Sequence, residues 1–361
     1  MQIKTSYKYA MVVPTSMGVR LTPSGGQPFG STGGELLTMQ ATSAESNVAS
    51  ISAYLGLPAH VLTAFVADSP IAAFIKRDLR SRGLTFEGPE LNQGGPWGYR
   101  HQFNLADSGF GARGPRVHND RAGEVGRALE AGHFDLDRLF GTDGVGILHM
   151  SGLFAALSHE TGAFCTELAR RAKAAGTKVS FDVNYRASFW QGREAELRAV
   201  FSDIASVSNI LIGNEEDFQL AFDIKGPDAG GQGIEAKLSS FEDMTGAVKR
   251  AFPNAELVAT TLREVIDAGT HNWGAILYDF GADRLHTVAP RQISVLDRIG
   301  GGDGFVGGLL YGLLRGWDCE RALRFGWASG AMATTFYTDY AQPADEEQVW
   351  SIWEGNARVR R

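Results

Sequence analysis

The chain has 361 residues, 43% of them hydrophobic and 21% charged, with a formal net charge of −7. This length buries an ample core as one large α/β domain or two smaller ones, and the acidic balance argues against a nucleic-acid surface, which relies on clustered Lys and Arg. Two cysteines, Cys165 and Cys319, stand far apart without metal-ligand spacing, so neither a disulfide framework nor a zinc site is expected and a reducing cytoplasm fits.

The first apolar run, "YAMVVP", is short and ends at Pro14, which predicts a buried strand rather than a signal peptide, and no apolar run reaches the roughly 18 residues of a membrane helix. After a Gly-rich loop, "AESNVASISAYLG" reads as a helix closed by Gly56 and "AHVLTAFV" as a strand. "SPIAAFIKRDLRSRG" follows as a helix with Ser69 as N-cap, Pro70 in its first turn and Gly83 at its end. From Pro89 to Asp120 the helical pattern stops. Short pieces such as "YRHQFNL" and "PRVHND" predict a small β excursion or lid over the sheet edge, with a plain surface loop as the alternative.

Alternation then resumes. "VGILHMSG", "KVSFDVN" and "SNILIG" read as strands, separated by the helix "ETGAFCTELARRAKAAG" and by one rich in Arg and Glu, and followed by the helix "NEEDFQLAF". "KGPDAGGQG" reads as a surface loop, "LVATTL", "GAILYDF" and "LHTVAP" as strands, and the chain beyond Gly302 as helices. The alternation predicts an α/β fold with a mainly parallel sheet. Neither a repeat nor an interdomain linker is visible, so residues 1–361 read as a single domain, with the lid drawn from about 15–45 and 89–121.

Two substrings fit G-x-G-x-x-G. "GFGARG" runs into Pro115 rather than a helix, and "GDGFVG" opens a helix too near the end of the chain for a dinucleotide-binding half to follow. A Walker A loop is absent. What remains is a triple-glycine turn delivering a helix N-terminus with Asp303 on its first turn, and two readings of it stay open. In one, the amides of Gly301, Gly302 and Asp303 hold the charge of a transferring phosphoryl group while Asp303 accepts a hydroxyl proton. In the other, the glycines make a tight turn and the aspartate favours the helix dipole. His159-Glu160 lacks the second histidine of a zinc protease motif and reads as a helix start; His118 and His149 could approach a substrate, or be satisfied histidines with no such role.

The stretch "LDRIGGGDGFVGGLLYGLL" resembles the C-terminal signature of the ribokinase-like (PfkB) carbohydrate kinases. "SAESNVASISAYLG", "FDVNYRASFW", "ILIGNEEDFQLAF", "VATTLRE", "NWGAILYDFG", "FGWASGAMATTF" and "ARVRR" are similar to the 2-keto-3-deoxygluconate kinase branch. The resemblance implies a ribokinase-like three-layer fold with a β lid, use of ATP and Mg²⁺, a sugar or sugar-acid substrate and a homo-oligomer. It implies Asp303 as general base with Gly300, Gly301 and Gly302 as anion hole, and Arg186, Arg121, Asn119, Asn47 and Ser16 on the substrate side. Asn184, Asn214, Thr261, Arg263 and Ser329 fall on nucleotide-binding segments, with Asn214 and Asp217 organising Mg²⁺. Departures cluster on the substrate side: Thr15-Ser16 where the family has Gly-Glu, Thr42-Ser43 for a di-glycine, Asn119 for a tyrosine, and "YTD" for the late "PGD" turn. They leave open a kinase for another sugar, such as fructose or ribose, or a binding relative without turnover.

Overall fold

In the computed structural model, residues 1–30, 36–226 and 234–357 are described. Most of the "KGPDAGGQG" loop, part of the segment 15–45 and all but Ala357 of "ARVRR" therefore lie outside the described residues. A nine-stranded sheet runs in the order Arg284–Ser294, Thr270–Asp279, Leu257–Asp267, Ile210–Ile212, Lys178–Asp182, Val145–Ser151, Tyr9–Pro14, Ala59–Leu62, Thr85–Glu87. Pairing is parallel throughout except at the two strand pairs that begin this order. The strands Tyr9–Pro14 and Val145–Ser151 are buried end to end, as continuous apolar runs are when helices cover both faces of a parallel sheet.

Two apolar layers result. On one face Phe164, Leu168, Phe201, Phe218 and Phe241 pack from helices His159–Ala174, Glu194–Val207, Glu215–Phe222 and Ile234–Ala251. On the other, Val48, Ile75, Leu309, Phe325 and Val349 come from helices Ala44–Tyr54, Pro70–Ser81, Gly301–Leu314, Cys319–Ala333 and Glu346–Trp353. Gly308 lets two of these helices touch, because a methyl group there would stand 2.6 Å from the Ser329 Cβ.

A separate four-stranded sheet runs Leu37–Thr42, Gly18–Pro23, Phe103–Asp107, Arg116–Asp120. "GFGARG" is the turn inside it, with Gly109 and Gly111 at positive φ. Three local readings change. The stretch "AHVLTAFV" divides into Ala59–Leu62 in the large sheet and Phe65–Val66 paired with Glu90–Leu91. The strand Gly18–Pro23 lies in the segment 15–45, read both as a Gly-rich loop and as part of the β lid, and its central Arg20 hides a buried strand from any reading of hydropathy. The helix Ile234–Ala251 follows a glycine-rich stretch, and its signal was the spacing of Phe241, Met244 and Val248.

From the central strand Tyr9–Pro14 the chain moves to Ala59–Leu62 on one side and returns at Val145–Ser151 on the other. Strand order reverses there, and in open α/β sheets a ligand crevice lies beyond the carboxyl ends of the strands at such a point.

Candidate active site

A cavity of about 1580 Å³ occupies that crevice. Thr15, Asp182 and Gly213 line it from the strand ends, Thr260 from within the strand Leu257–Asp267, Asn104, Val117 and Asn119 from the four-stranded sheet, and Gly300, Gly302 and Asp303 from the triple-glycine turn. Gly300 has φ +83°, and a methyl group there would lie 1.8 Å from the Asp339 carbonyl oxygen, so glycine is required twice over. The helix Gly301–Leu314 starts from it. The Gly301 amide points to the Arg298 carbonyl at 3.5 Å, and Gly301 is buried beneath the cavity wall. The amides at this helix end left able to hold an anion are thus those of Gly302, which is exposed, and Asp303, neither of which has an acceptor within its own helix.

The Asp303 carboxyl is half-buried, and Asn47 donates to its Oδ2 at 2.8 Å. Its pKa is raised from 3.8 to about 7, chiefly by burial and further by the charges of Asp339 and Glu45, while the Asn47 hydrogen bond and Arg186 pull it down. Ser43 caps the helix that carries Asn47 by accepting from the Ser46 amide at 3.1 Å. Two residues before Asn47, Glu45 is buried and accepts from the hydroxyls of Thr15 and Ser151, at the ends of two adjacent central strands. Burial pushes its carboxyl up as well.

On the side toward the four-stranded sheet, Arg121 binds both oxygens of Glu124 at 2.8 and 3.0 Å, and Ser16 donates to the same carboxylate at 2.6 Å. Where the resemblance would place a carboxylate at position 16, Ser16 donates to the carboxylate of Glu124. The Arg121 guanidinium also stands 5.5 Å from the Phe189 ring centroid. Asn119 lines the cavity, and Arg186 is exposed at its edge, donating to the Tyr185 carbonyl at 2.8 Å.

On the other side, Asn214 caps its helix by accepting from the Asp217 amide at 2.9 Å, and Asp217 returns the bond to the Asn214 amide at 2.9 Å. Asp217 also accepts from the Tyr185 amide at 3.0 Å, so both its oxygens are engaged by backbone. Asp182 ends its strand beside them, its carboxyl held well above the ordinary range by burial and by Asp217 and Asp303. Asn184 lines the cavity at φ +38°, a conformation that asparagine tolerates. Thr261, Arg263 and Arg298 complete this wall. Desolvation and the neighbouring Arg298 lower the Arg263 pKa to about 10.

Ser329 requires correction. It is wholly buried in the contact between helices Gly301–Leu314 and Cys319–Ala333 and does not reach the cavity. Its position in "FGWASGAMATTF" marks helix packing rather than a nucleotide contact. Reading the sequence alone missed Glu45, Glu124, Asp182, Arg298 and Asp339 as site groups. Asp182 and Arg298 sat inside the quoted "FDVNYR" and "LDRIGGGD", so their proximity in sequence to Arg186 and Asp303 was the available signal.

The model of the pfkB family carbohydrate kinases matches residues 143–344. The 5-dehydro-2-deoxygluconokinase of Clostridium perfringens is 32% identical over 212 residues, 59% of this chain and 55% of that protein. The chain thus spans about half the length of that relative. The 2-dehydro-3-deoxygalactonokinase of Haloferax volcanii is 26% identical over 345 residues, 95% of this chain and 96% of that one. The crystal structure of Thermotoga maritima 2-dehydro-3-deoxygluconokinase superposes with a TM-score of 0.85 at 25% identity, covering 96% of this chain and all of that one. Its likeness extends over both sheets, and the matched family segment includes the turn that carries Asp303. Since that segment is more than half of the chain, the protein belongs to the pfkB family of carbohydrate kinases.

Proposed function

We propose that the protein transfers the γ-phosphoryl group of ATP to the terminal primary hydroxyl of 2-keto-3-deoxygluconate or a close sugar acid. The observation that carries this reading is Asp303: a carboxyl titrating at about 7, beside the exposed amides of a helix N-terminus, facing a cavity large enough for a sugar and a nucleotide together. At neutral pH a sizeable share of it is ionised and able to take a proton.

In this mechanism the Asp303 carboxylate accepts the hydroxyl proton as the sugar oxygen bonds to the γ-phosphorus, and the bond from that phosphorus to the β–γ bridging oxygen breaks in line, releasing ADP. Asn47 keeps Asp303 aimed and lowers its pKa from what burial alone would give. The Gly302 and Asp303 amides hold the equatorial charge. Arg263 and Arg298 have no carboxylate partner among the described residues, which suits a polyphosphate between them.

Asp182 and Asp217 stand side by side in the cavity, each carboxyl raised by burial and eased by Arg186, and their hard oxygen donors fit Mg²⁺, whose charge would favour their ionised forms. Asp182, Asp217 and Asn214 would hold it, largely through water because backbone amides occupy Asp217, and the ion supplies charge neutralisation of the phosphates. Arg186 grips the sugar carboxylate, since its guanidinium is exposed and free of carboxylate partners among the described residues. One observation favours a second reading, a neutral sugar: Glu124 already neutralises Arg121, leaving one cation for an acid substrate.

In this reading the four-stranded sheet is the lid. The exposed Leu36, Leu37 and Met39 on its edge support a homo-oligomer formed through it. No helix among the described residues is long and apolar enough to cross a membrane; in this reading the free cysteines and the use of ATP support a cytoplasmic location.

The test is ADP release over a panel of 2-keto-3-deoxygluconate, its galactose epimer, fructose and ribose, with Asp303→Asn beside the wild type. Turnover on the acid sugars that collapses in the variant supports the reading. Turnover on a neutral sugar alone replaces the substrate, and ATP binding without turnover on any of them refutes catalysis on this substrate class.

A further inference from the structure

We propose that Arg20 is a positioning residue that locks the phosphoryl-binding turn to the four-stranded sheet by bridging the two carboxylates that flank the turn. The inference rests on the reading of Gly300–Asp303 as that turn. Arg20 lies on the strand Gly18–Pro23, and its two terminal nitrogens donate to different acids, Nη1 to Asp339 and Nη2 to Asp297. All three side chains are sequestered: Arg20 is 1% exposed, Asp297 0% and Asp339 3%.

Each acid controls one side of the turn. Asp297 opens it, with Oδ1 accepting from the Ile299 amide at 3.0 Å. Asp339 closes it from above, because its backbone carbonyl packs so tightly on Gly300 that no Cβ fits between them. The four-stranded sheet secures both. Ser108, just past the strand Phe103–Asp107, donates to Asp297 Oδ2 at 2.7 Å. From the strand Leu37–Thr42, the Thr42 hydroxyl donates to Asp339 Oδ2, and the Gln40 side-chain carbonyl accepts from the Asp339 amide at 3.2 Å.

Neutral groups complete the shells of both acids, yet among the described residues Arg20 is the cation paired with either. Without it two buried carboxylates face each other's surroundings uncompensated, and they would separate, protonate or draw in water. Any of these displaces Asp297 or Asp339, and with them Gly300 and the amides of Gly302 and Asp303. A planar fork suits the task, since one guanidinium can hold two acids at fixed separation where an ammonium is a single point charge. The anion hole thereby takes its geometry from the position of the four-stranded sheet.

The experiment compares the full-length wild type with Arg20→Met and Arg20→Lys by hydrogen exchange, thermal melting and steady-state phosphorylation kinetics. In Arg20→Met, amides at 298–303 should exchange at least about tenfold faster while those of the strand Tyr9–Pro14 stay protected. Its kcat should fall about 100-fold, the scale of losing one preorganised donor, with KM for the sugar nearly unchanged. Guanidinium chloride, well below unfolding concentrations, should restore part of that activity. Arg20→Lys, which keeps the charge and favours folding, should fall between the two. A folded variant with wild-type exchange at the turn overturns the proposal. So does exchange that accelerates evenly along the chain without rescue, which would mark Arg20 as structural only. Should the wild type phosphorylate no sugar, the kinase reading fails separately, while the exchange data still decide the role of Arg20.

Discussion

Replacing Asp303 by asparagine keeps the shape of the side chain and its place on the helix but removes the base. General-base catalysis is worth about 10²–10⁴-fold, so kcat should fall by at least about 100-fold. In the wild type only the carboxylate accepts a proton, so kcat/KM should climb with pH and level off above about 7, where Asp303 ionises. Stability runs the other way. The folded-state pKa of about 7 lies above the 3.8 of an unperturbed aspartate, so the stability this group contributes is complete below pH 3.8 and is lost as pH rises through 7. A gap of about three pH units corresponds to roughly 4 kcal/mol, an upper bound because the side chain is half-buried and its bond from Asn47 is worth about 1 kcal/mol. The asparagine variant cannot ionise. At pH 8 it should be more stable than the wild type by roughly 1–3 kcal/mol, an advantage that shrinks as pH falls from 7 and vanishes below 3.8. Coupled ADP-release assays and thermal melts across pH read both effects. Activity reduced less than tenfold, or an asparagine variant no more stable at pH 8, would refute the assignment of Asp303 as a strained, ionisable base.

Asn47→Leu removes the hydrogen bond that favours the Asp303 carboxylate, so the acid limb of the pH–rate profile should move above 7 and kcat at neutral pH should drop about tenfold. Two glycines of one turn should behave oppositely. Gly300→Ala meets the Asp339 carbonyl at positive φ and should lose about 3 kcal/mol or more by denaturant titration. Gly302→Ala has nothing within 4 Å, so its melting temperature should hold while its methyl group, pointing into the anion site, lowers kcat. Arg186→Ala should raise KM for a sugar acid by about tenfold or more and leave a neutral sugar little affected, the signature of a lost charge-assisted bond to substrate. Met39→Glu, placing a charge among the exposed apolar residues of the small sheet, should shift light-scattering mass toward the monomer.

Local chemistry in the sequence was enough to determine the strand and helix alternation, the helix starts at Ser69 and at His159-Glu160, and the triple-glycine turn that opens the helix carrying Asp303. These are legible because capping, φ preference and apolar period act within a few residues of the chain. The resemblance extended this to Arg121, Arg186, Asn214 and Asp217, which the fold does bring to one cavity. Only the tertiary structure decided the electrostatics. Asp303 titrates near 7 because burial and then the charges of Asp339 and Glu45 act on it, and Glu45 itself is held by hydroxyls from Thr15 and Ser151. Arg20 looks like a surface arginine in a loop until the sheet folds it between Asp297 and Asp339, and Ser329 looks like a ligand until helix packing buries it. No local pattern could reveal these, because burial and charge pairing depend on which distant segments meet, and the desolvation that raises a carboxyl or binds an arginine exists only once the water between those segments has gone.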